Sequence, residues 1–337
     1  MRVLILGGTG LISTGITSQL LERGDEVVHF NRGETPSQFG QRVGLVVGDR
    51  NSTQDLSRAV ESGPFDAVID MICFTPDQAK SAINAFKGQA TQYLMCSTVD
   101  VYDKPSLFSP VTEDHPRNPA KSFPYAYLKA QAEALFEAAH SNGDFLLTIL
   151  RPGATYVNGA VPSIGSFALA VNRLRRGLPI IVHGDGSSIW VACHRDDVAQ
   201  AFVNTLNNPR AFGKSYNVTG GEYLTWNEYW ETVAEELKVP NVKFLHVPTD
   251  VLVKVAPNLA EWCGMNFQYN NILSSEAAQR DLGFQYRTKW REGVKTFGWG
   301  TLPDPDPIQA SDYNAIVVAW EKACSLLVED LARTEGL

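Results

Sequence analysis

The 337-residue sequence predicts an α/β fold: a doubly wound parallel sheet with a smaller α/β domain after it. Three observations lead there. Short runs of branched apolar residues alternate with helical patterns across the first half. A glycine-rich turn, Gly7-Gly8-Thr9-Gly10, parts the first run from the first helix. Regularity then loosens beyond Arg151-Pro152-Gly153, where short strands and Pro-rich connections begin. Alternation of this kind implies parallel strands, and right-handed crossovers then place helices on both faces.

Residues 2–6 make the first strand, and 16–23 a helix that Gly24 ends. Strands follow at 26–30, 44–47, 67–72, 92–97 and 145–150. Helices fall at 56–62, 76–86 and 125–140, the last with Pro124 before it and Asn142-Gly143 behind it. A further helix at 226–237 belongs to the smaller domain. Pro303-Asp304-Pro305-Asp306-Pro307 lacks an amide donor at alternate positions and reads as a stiff linker. A final helix spans 311–333. On it Ile316, Trp320, Cys324, Leu327 and Leu331 share a face that either packs on its own subunit or joins a homodimer. The expected division is 1–152 with returning segments near 181–220, then 153–180 with 221–300, then 301–337 as linker and terminal helix.

A hydrophobic content of 44% and a charged content of 20% are those of an ordinary soluble chain. The formal charge of −8 disfavours a nucleic-acid partner, which would need clustered Lys and Arg. No apolar run approaches the length of a membrane span. Cys73, Cys96, Cys193, Cys263 and Cys324 are odd in number and scattered, with no C-x-x-C pair. That usage suits a reducing cytoplasm and offers no metal site.

Strand, glycine turn and helix together make a dinucleotide-binding, Rossmann-type start. Gly7 permits the turn, Gly10 admits a pyrophosphate, the helix beyond offers amides and a positive dipole end, and Thr9, Leu11 and Ile12 are further candidate cofactor contacts. The spacing calls for a third glycine at position 13, where this chain has Ser13, with Gly15 beyond. Ser13 should loosen the helix–strand packing. After the second strand stand Asn31 and Arg32, where an acidic residue selects NAD and an arginine accommodates a 2′-phosphate. NADP is therefore favoured over NAD, with Arg32 as a solvated turn residue the alternative. Asp49 and Arg50 follow the third strand; Asp49 either accepts from an adenine amino group or caps the next helix.

Ser97 and Thr98 end the fifth strand. Tyr125 and Lys129 lie four apart on a helix and so share a face. A phenol is a poor base at its reference pKa of about 10. A neighbouring ammonium would lower that value and make Tyr125 usable as an acid/base, with Thr98 holding the substrate oxygen.

These residues resemble the extended short-chain dehydrogenase/reductase family, which includes NAD(P)-dependent sugar-nucleotide epimerases and dehydratases. The resemblance covers roughly Arg2 to Trp299. Gly7 to Ile12 is similar to the family's cofactor loop, Cys96 to Tyr102 to its serine/threonine segment, and Tyr125-Ala126-Tyr127-Leu128-Lys129 to its Y-x-x-x-K motif. Arg151-Pro152 with Tyr156, His183-Gly184-Asp185-Gly186, His194 to Ala199 and Asp281-Leu282-Gly283-Phe284 resemble later landmarks. The likeness implies catalysis by Thr98, Tyr125 and Lys129, with Lys129 also holding the nicotinamide ribose. It implies an oxidoreductase or epimerase acting on a carbohydrate-like hydroxyl or keto substrate.

Departures sharpen the expectation. Asp70-Met71-Ile72-Cys73 replaces a usual histidine and small residues, and Asp70 reads as a loop anchor. Ala154 replaces a frequent asparagine. Trp190 stands where an arginine usually binds a nucleotide diphosphate, a bidentate role that an indole cannot fill. Arg173, Arg175 and Arg176 lie on the preceding helix and either reach a phosphate or are solvated, and Arg176, Tyr156, Ser97 and Trp190 are candidate substrate contacts. Trp226, Tyr229, Trp230 and Trp262 could line a pocket or simply fill the core. Val99-Asp100 offers a single carboxylate after Thr98, which places dehydration behind epimerisation and reduction. Phe30 to Gly33, Gly48 to Arg50 and Tyr93 to Ser97 are also similar to the chloroplast stem-loop RNA-binding relatives. That keeps a non-catalytic RNA-binding or NADP-sensing protein as the alternative.

Overall fold

The computed structural model describes residues 1–159 and 161–333. In chain order β1 (Arg2–Leu6), α1 (Leu11–Arg23), β2 (Glu26–Asn31), β3 (Gly44–Val47), α2 (Thr53–Glu61) and β4 (Phe65–Asp70) come first. Then follow α3 (Pro76–Phe86), β5 (Ala90–Cys96), α4 (Pro124–Ser141), β6 (Leu146–Pro152), β7 (Ala154–Tyr156), α5 (Phe167–Arg175) and β8 (Ile180–His183). Next are β9 (Ile189–Trp190), β10 (Ala192–His194), α6 (Arg195–Thr205), β11 (Lys214–Val218), β12 (Leu224–Thr225), α7 (Trp226–Glu236) and β13 (Phe244–Val247). The chain ends with α8 (Thr249–Val255), α9 (Pro257–Trp262), α10 (Glu276–Leu282), α11 (Trp290–Lys295) and α12 (Pro307–Arg333).

Seven strands form one parallel sheet in the order β11-β6-β5-β4-β1-β2-β3. The order reverses beside β1, which is the topological switch point of a doubly wound sheet. Strand β1 shows why both faces are covered. Val3 and Ile5 enter a core with Ile16 and Leu20 of α1 and Val198 and Phe202 of α6. Leu4 and Leu6 point the other way, to Leu56 of α2, Ala79 of α3 and Phe136 of α4. Local signals set the helix ends. Ser52 and Thr75 cap α2 and α3 through their side chains, and Gly24 closes α1 in the left-handed region.

Helix α1 begins at Leu11, five residues before the expected start at 16. Its first turn, rich in Ser, Thr and Gly, has weak helix propensity. The Ser13 and Thr14 hydroxyls bond back to the carbonyls of Gly10 and Leu11 and hold it. Helix α12 starts at Pro307 rather than 311, because the Asp306 carboxylate accepts from the amides of Ile308 and Gln309.

The chain divides into two compact units: Met1–Tyr156 with Val191–Glu222 and Ile272–Lys289, and Val157–Trp190 with Tyr223–Asn271 and Trp290–Leu337. The expected boundaries are corrected in three ways. Strand β8 pairs with β13 in the second unit, so the segment returning near 181 does not join the first. Residues 272–289 return to the first unit, where α10 packs beside β11. The terminal helix is part of the second unit, with Tyr313 and Val317 buried there and the Tyr313 hydroxyl accepting from Ile181 N at 2.5 Å. Ile316 and Trp320 are half-buried, whereas Cys324, Leu327 and Leu331 are exposed. No helix among the described residues is long and apolar enough to cross a membrane.

Two histidines sit in dry surroundings, His29 in the first unit and His183 in the second. Burial lowers both from the usual 6.5 to about 4. Between those values the unfolded chain binds more protons than the folded one, so stability is complete above pH 6.5 and falls as pH drops toward 4. Urea midpoints measured at pH 7 and pH 5 should show the lower stability at pH 5.

Candidate active site

At the carboxyl edge of the sheet the first unit carries two adjoining cavities of about 330 and 290 Å³ that share Gly7, Ile72 and Phe74. The glycine turn is made by packing as much as by conformation. Gly7 has φ +85°, and a Cβ there would stand 2.6 Å from Ile72. A Cβ on Gly8 would meet the His29 ring at 2.3 Å, so the turn can lie flat on β2 only without a side chain. Gly10 precedes α1 with no side-chain cap, which leaves the first amides of the helix, at Leu11, Ile12 and Ser13, beside the larger cavity. An uncapped helix N-terminus behind a glycine turn fits a pyrophosphate. Ser13 does not loosen the packing as expected. It is buried, and its hydroxyl donates to Gly10 O at 3.1 Å. Close helix approach is supplied by Gly15, where a Cβ would stand 3.0 Å from Ala199 and 3.1 Å from Arg195 on α6.

Thr98, Tyr125 and Lys129 line the larger cavity together with Ser97. The Tyr125 side chain and the Thr98 side chain line the same wall of that cavity. Thr98 Oγ1 donates to Asp100 Oδ2 at 3.1 Å, and Lys104 Nζ pairs with Asp100 Oδ1 at 3.2 Å. Lys129 is buried and donates to Cys96 O at 2.6 Å. The expected lowering of Tyr125 by Lys129 is corrected: burial first, then the Asp100 charge and Cys96, push the phenol well above its ordinary value. The Lys129 ammonium is spent on a carbonyl of β5, and Asp100 is the nearer electrostatic influence. Cys96 is held up at about 11 by burial and is a neutral thiol rather than a nucleophile.

The second cavity is lined by Thr9, Asn31, Arg32, Asp49 and Arg50. Asn31 Oδ1 accepts from Gly33 N and shapes the turn. Arg32 is exposed and lies 2.8 Å from Glu34, a carboxylate on the same cavity. Asp49 is exposed and accepts from Asn51, while the cap of α2 is Ser52. Arg50 is spoken for: its guanidinium pairs with buried Asp70 at 2.5 Å and donates to Ile72 O at 3.1 Å. Tyr93 also donates to Asp70, at 2.7 Å. Asp70 is thus the loop anchor expected of it, and Arg50 is a floor of the cavity rather than a mobile cation.

Two further residues support the site and escaped the sequence reading. Glu133 follows Lys129 by one more turn of α4 and is fully buried. It accepts from Arg151 at 3.0 and 2.8 Å, and from Arg117. Burial alone would raise this carboxyl; the paired cations hold it below its usual value. The signal was present as the four-residue spacing Tyr125, Lys129, Glu133, a charge continuing the buried face of a helix. The other is Phe74, an exposed aromatic shared by both cavities.

The expected substrate contacts scatter. Tyr156 lies in the first unit but is fully buried, its ring edge-on to His194 and off the cavity wall. Trp190 is buried in an aromatic cluster of the second unit, with Trp226 and Phe267 both 4.9 Å from it. Trp226, Tyr229 and Trp230 are core as well, and of these tryptophans Trp262 alone is largely exposed. Arg176 caps the end of α5 and is exposed, while Arg173 is buried over the Tyr313 ring. Among the described residues no cluster of three or more His, Cys, Asp or Glu could hold a metal.

Residues 3–219 match the family described as "NAD dependent epimerase/dehydratase family". The chain is 28% identical over 242 residues to 2'-dehydrokanamycin reductase of Streptomyces kanamyceticus, covering 71% of this chain and 68% of that protein. It is 25% identical over 260 residues to chloroplast stem-loop binding protein of 41 kDa b of Arabidopsis thaliana, covering 73% and 65%. The match to that plant protein therefore spans under two thirds of its length. A 2-alkyl-3-oxoalkanoate reductase of Stenotrophomonas maltophilia is 24% identical, with 88% of this chain and 98% of that one covered. In fold, the UDP-glucose 4-epimerase of Thermotoga maritima superposes with a TM-score of 0.72 at 16% identity over 88% of this chain and 97% of that one.

Asp70→Asn leaves Arg50 buried without its counter-charge and should cost about 3–5 kcal/mol of stability in urea or thermal unfolding. Asp100→Asn removes a negative charge that keeps the Tyr125 phenol high. Any alkaline limb of a pH–kcat profile that follows this phenol should therefore move to lower pH.

Proposed function

We propose, from the premise that the chain belongs to the NAD dependent epimerase/dehydratase family, that it is an NAD(P)-dependent oxidoreductase reducing a keto group on a polyol-type substrate. The observation that carries this reading is the convergence of Thr98, Tyr125 and buried Lys129 on the cavity that opens at the glycine turn. Gly7, Gly10 and the first amides of α1 would hold the pyrophosphate, and Lys129 the nicotinamide ribose. The bound nicotinamide supplies the hydride. Thr98 positions the carbonyl oxygen, and Tyr125 gives it the phenolic proton as its carbon is reduced to a carbinol. A phenol held protonated by burial begins the cycle as an acid, which favours reduction over the base-first start that oxidation or epimerisation needs.

NADP is the cofactor we favour. Arg32 is exposed on the second cavity, and a 2′-phosphate would take the place of Glu34 as its partner. The substrate is proposed to lack a nucleotide diphosphate, because Trp190 is a buried indole where a guanidinium would be needed. The similarity to a 2'-dehydrokanamycin reductase and to a 2-alkyl-3-oxoalkanoate reductase, neither named for a nucleotide-sugar substrate, supports a reductase of this kind. An RNA-binding reading has the similarity to the chloroplast protein in its favour, against a charge of −8.

The test is NADPH oxidation with a panel of keto-sugars and β-keto acids, compared between the wild type and Tyr125→Phe. Loss of the acid should lower kcat roughly 10²–10⁴-fold with NADPH affinity unchanged. Equal turnover by the two proteins would refute the mechanism.

A further inference from the structure

The turn after β4 reaches across the cleft. Ile72 N donates to Asp70 Oδ1 at 3.1 Å, and Ile72 O accepts from Arg50, so the turn is bolted at both ends of one residue. Ile72 in turn packs where a Cβ of Gly7 would lie. Two residues on, Phe74 N donates to Gln78 Oε1 at 2.7 Å on α3. The backbone beneath Phe74 is therefore fixed, yet its ring remains 41% exposed.

That ring faces the catalytic groups. Lys129 Nζ lies 4.7 Å from its centroid, within range of a cation–π contact. The Tyr125 ring is 6.5 Å away, tilted by 43°. Phe74 also borders the second cavity, and with Gly7 and Ile72 it lines the junction of the two. A molecule occupying both cavities must cross between this ring and the glycine turn. An exposed aromatic ring held rigidly at that point is apolar surface available to cover a ligand.

We infer that Phe74 is the clasp of the cleft: its ring covers the dinucleotide where it passes from one cavity to the other, and its π face positions the Lys129 ammonium. The inference rests on the dinucleotide reading given above. It makes Phe74 a binding residue toward the cofactor and a positioning residue toward Lys129.

The test is titration of the purified full chain with NADPH and with NADH, followed by nucleotide fluorescence, together with thermal unfolding of each variant. Phe74→Ala should weaken binding of the preferred nucleotide about tenfold, since apolar cover and cation–π contact are both lost. Its unfolding temperature should stay near that of the wild type. Phe74→Tyr, which keeps the π face, should bind as the wild type does. Phe74→Leu keeps much of the apolar volume without a π face and should bind more weakly than Phe74→Tyr. If Phe74→Ala proves destabilised, the Leu and Tyr variants decide the matter alone. Affinity of Phe74→Ala within twofold of the wild type, or equal affinities of the Leu and Tyr variants, would overturn the clasp while leaving the dinucleotide reading intact. A wild-type protein that binds neither nucleotide would overturn both.

Discussion

Every turn that builds the cleft leaves the sheet by the same edge, because the central strands run parallel in one register. Leu6 lies opposite both Phe30 and Asp70, Asp70 opposite Met95, and Cys96 opposite Leu150. The glycine turn, the Asp70–Phe74 turn, Ser97-Thr98 and Pro152-Gly153 therefore emerge side by side. A slip of one residue by β1 against its neighbours would turn Val3 and Ile5 out of one core and into the other, so burial on both faces fixes the register. The site depends on that constraint more than on any single side chain.

Between the strands and the cavity lies a layer of buried charge. Arg50–Asp70–Tyr93 ties β3, β4 and β5 together on one side of the cleft, and Glu133–Arg151 ties α4 to β6 on the other. Such pairs contribute little net stability compared with apolar packing of the same volume, and removing one partner is costly. Their effect here is positional. Glu133 continues the face that carries Tyr125 and Lys129, so its bond to Arg151 fixes the rotation of α4. Asp70 and Arg50 fix the turn on which Phe74 stands.

The electrostatics within the cavity set the surroundings of the Tyr125 phenol. Asp100, linked to Thr98 and Lys104, adds negative charge near the phenol, while Lys129 is engaged with the carbonyl of Cys96. Both arrangements leave Tyr125 a proton donor. The second unit adds a constraint of another kind. Its aromatic cluster of Trp190, Trp226, Tyr229 and Phe267 is packed core, so the Trp190 indole is committed to packing within that unit.

The sequence by itself determined the sheet, the glycine turn and the face shared by Tyr125 and Lys129. These rest on periodicity and on conformational demands that act within a few residues: branched apolar runs, a positive φ at Gly7, a four-residue helical spacing. Only the tertiary structure decided what depends on distant partners. Ser13 is accommodated because its hydroxyl has a carbonyl to meet and Gly15 faces Ala199. Arg50 is fixed because Asp70, on the strand three along from β3 in the sheet order, lies within reach. The segment 272–289 returns to the first unit because Val111 bridges Leu273 and α10 lies beside β11. Phe74 looked like one more aromatic in a loop. Its place over Lys129 follows from two elements brought together by folding, a pairing that no local spacing encodes.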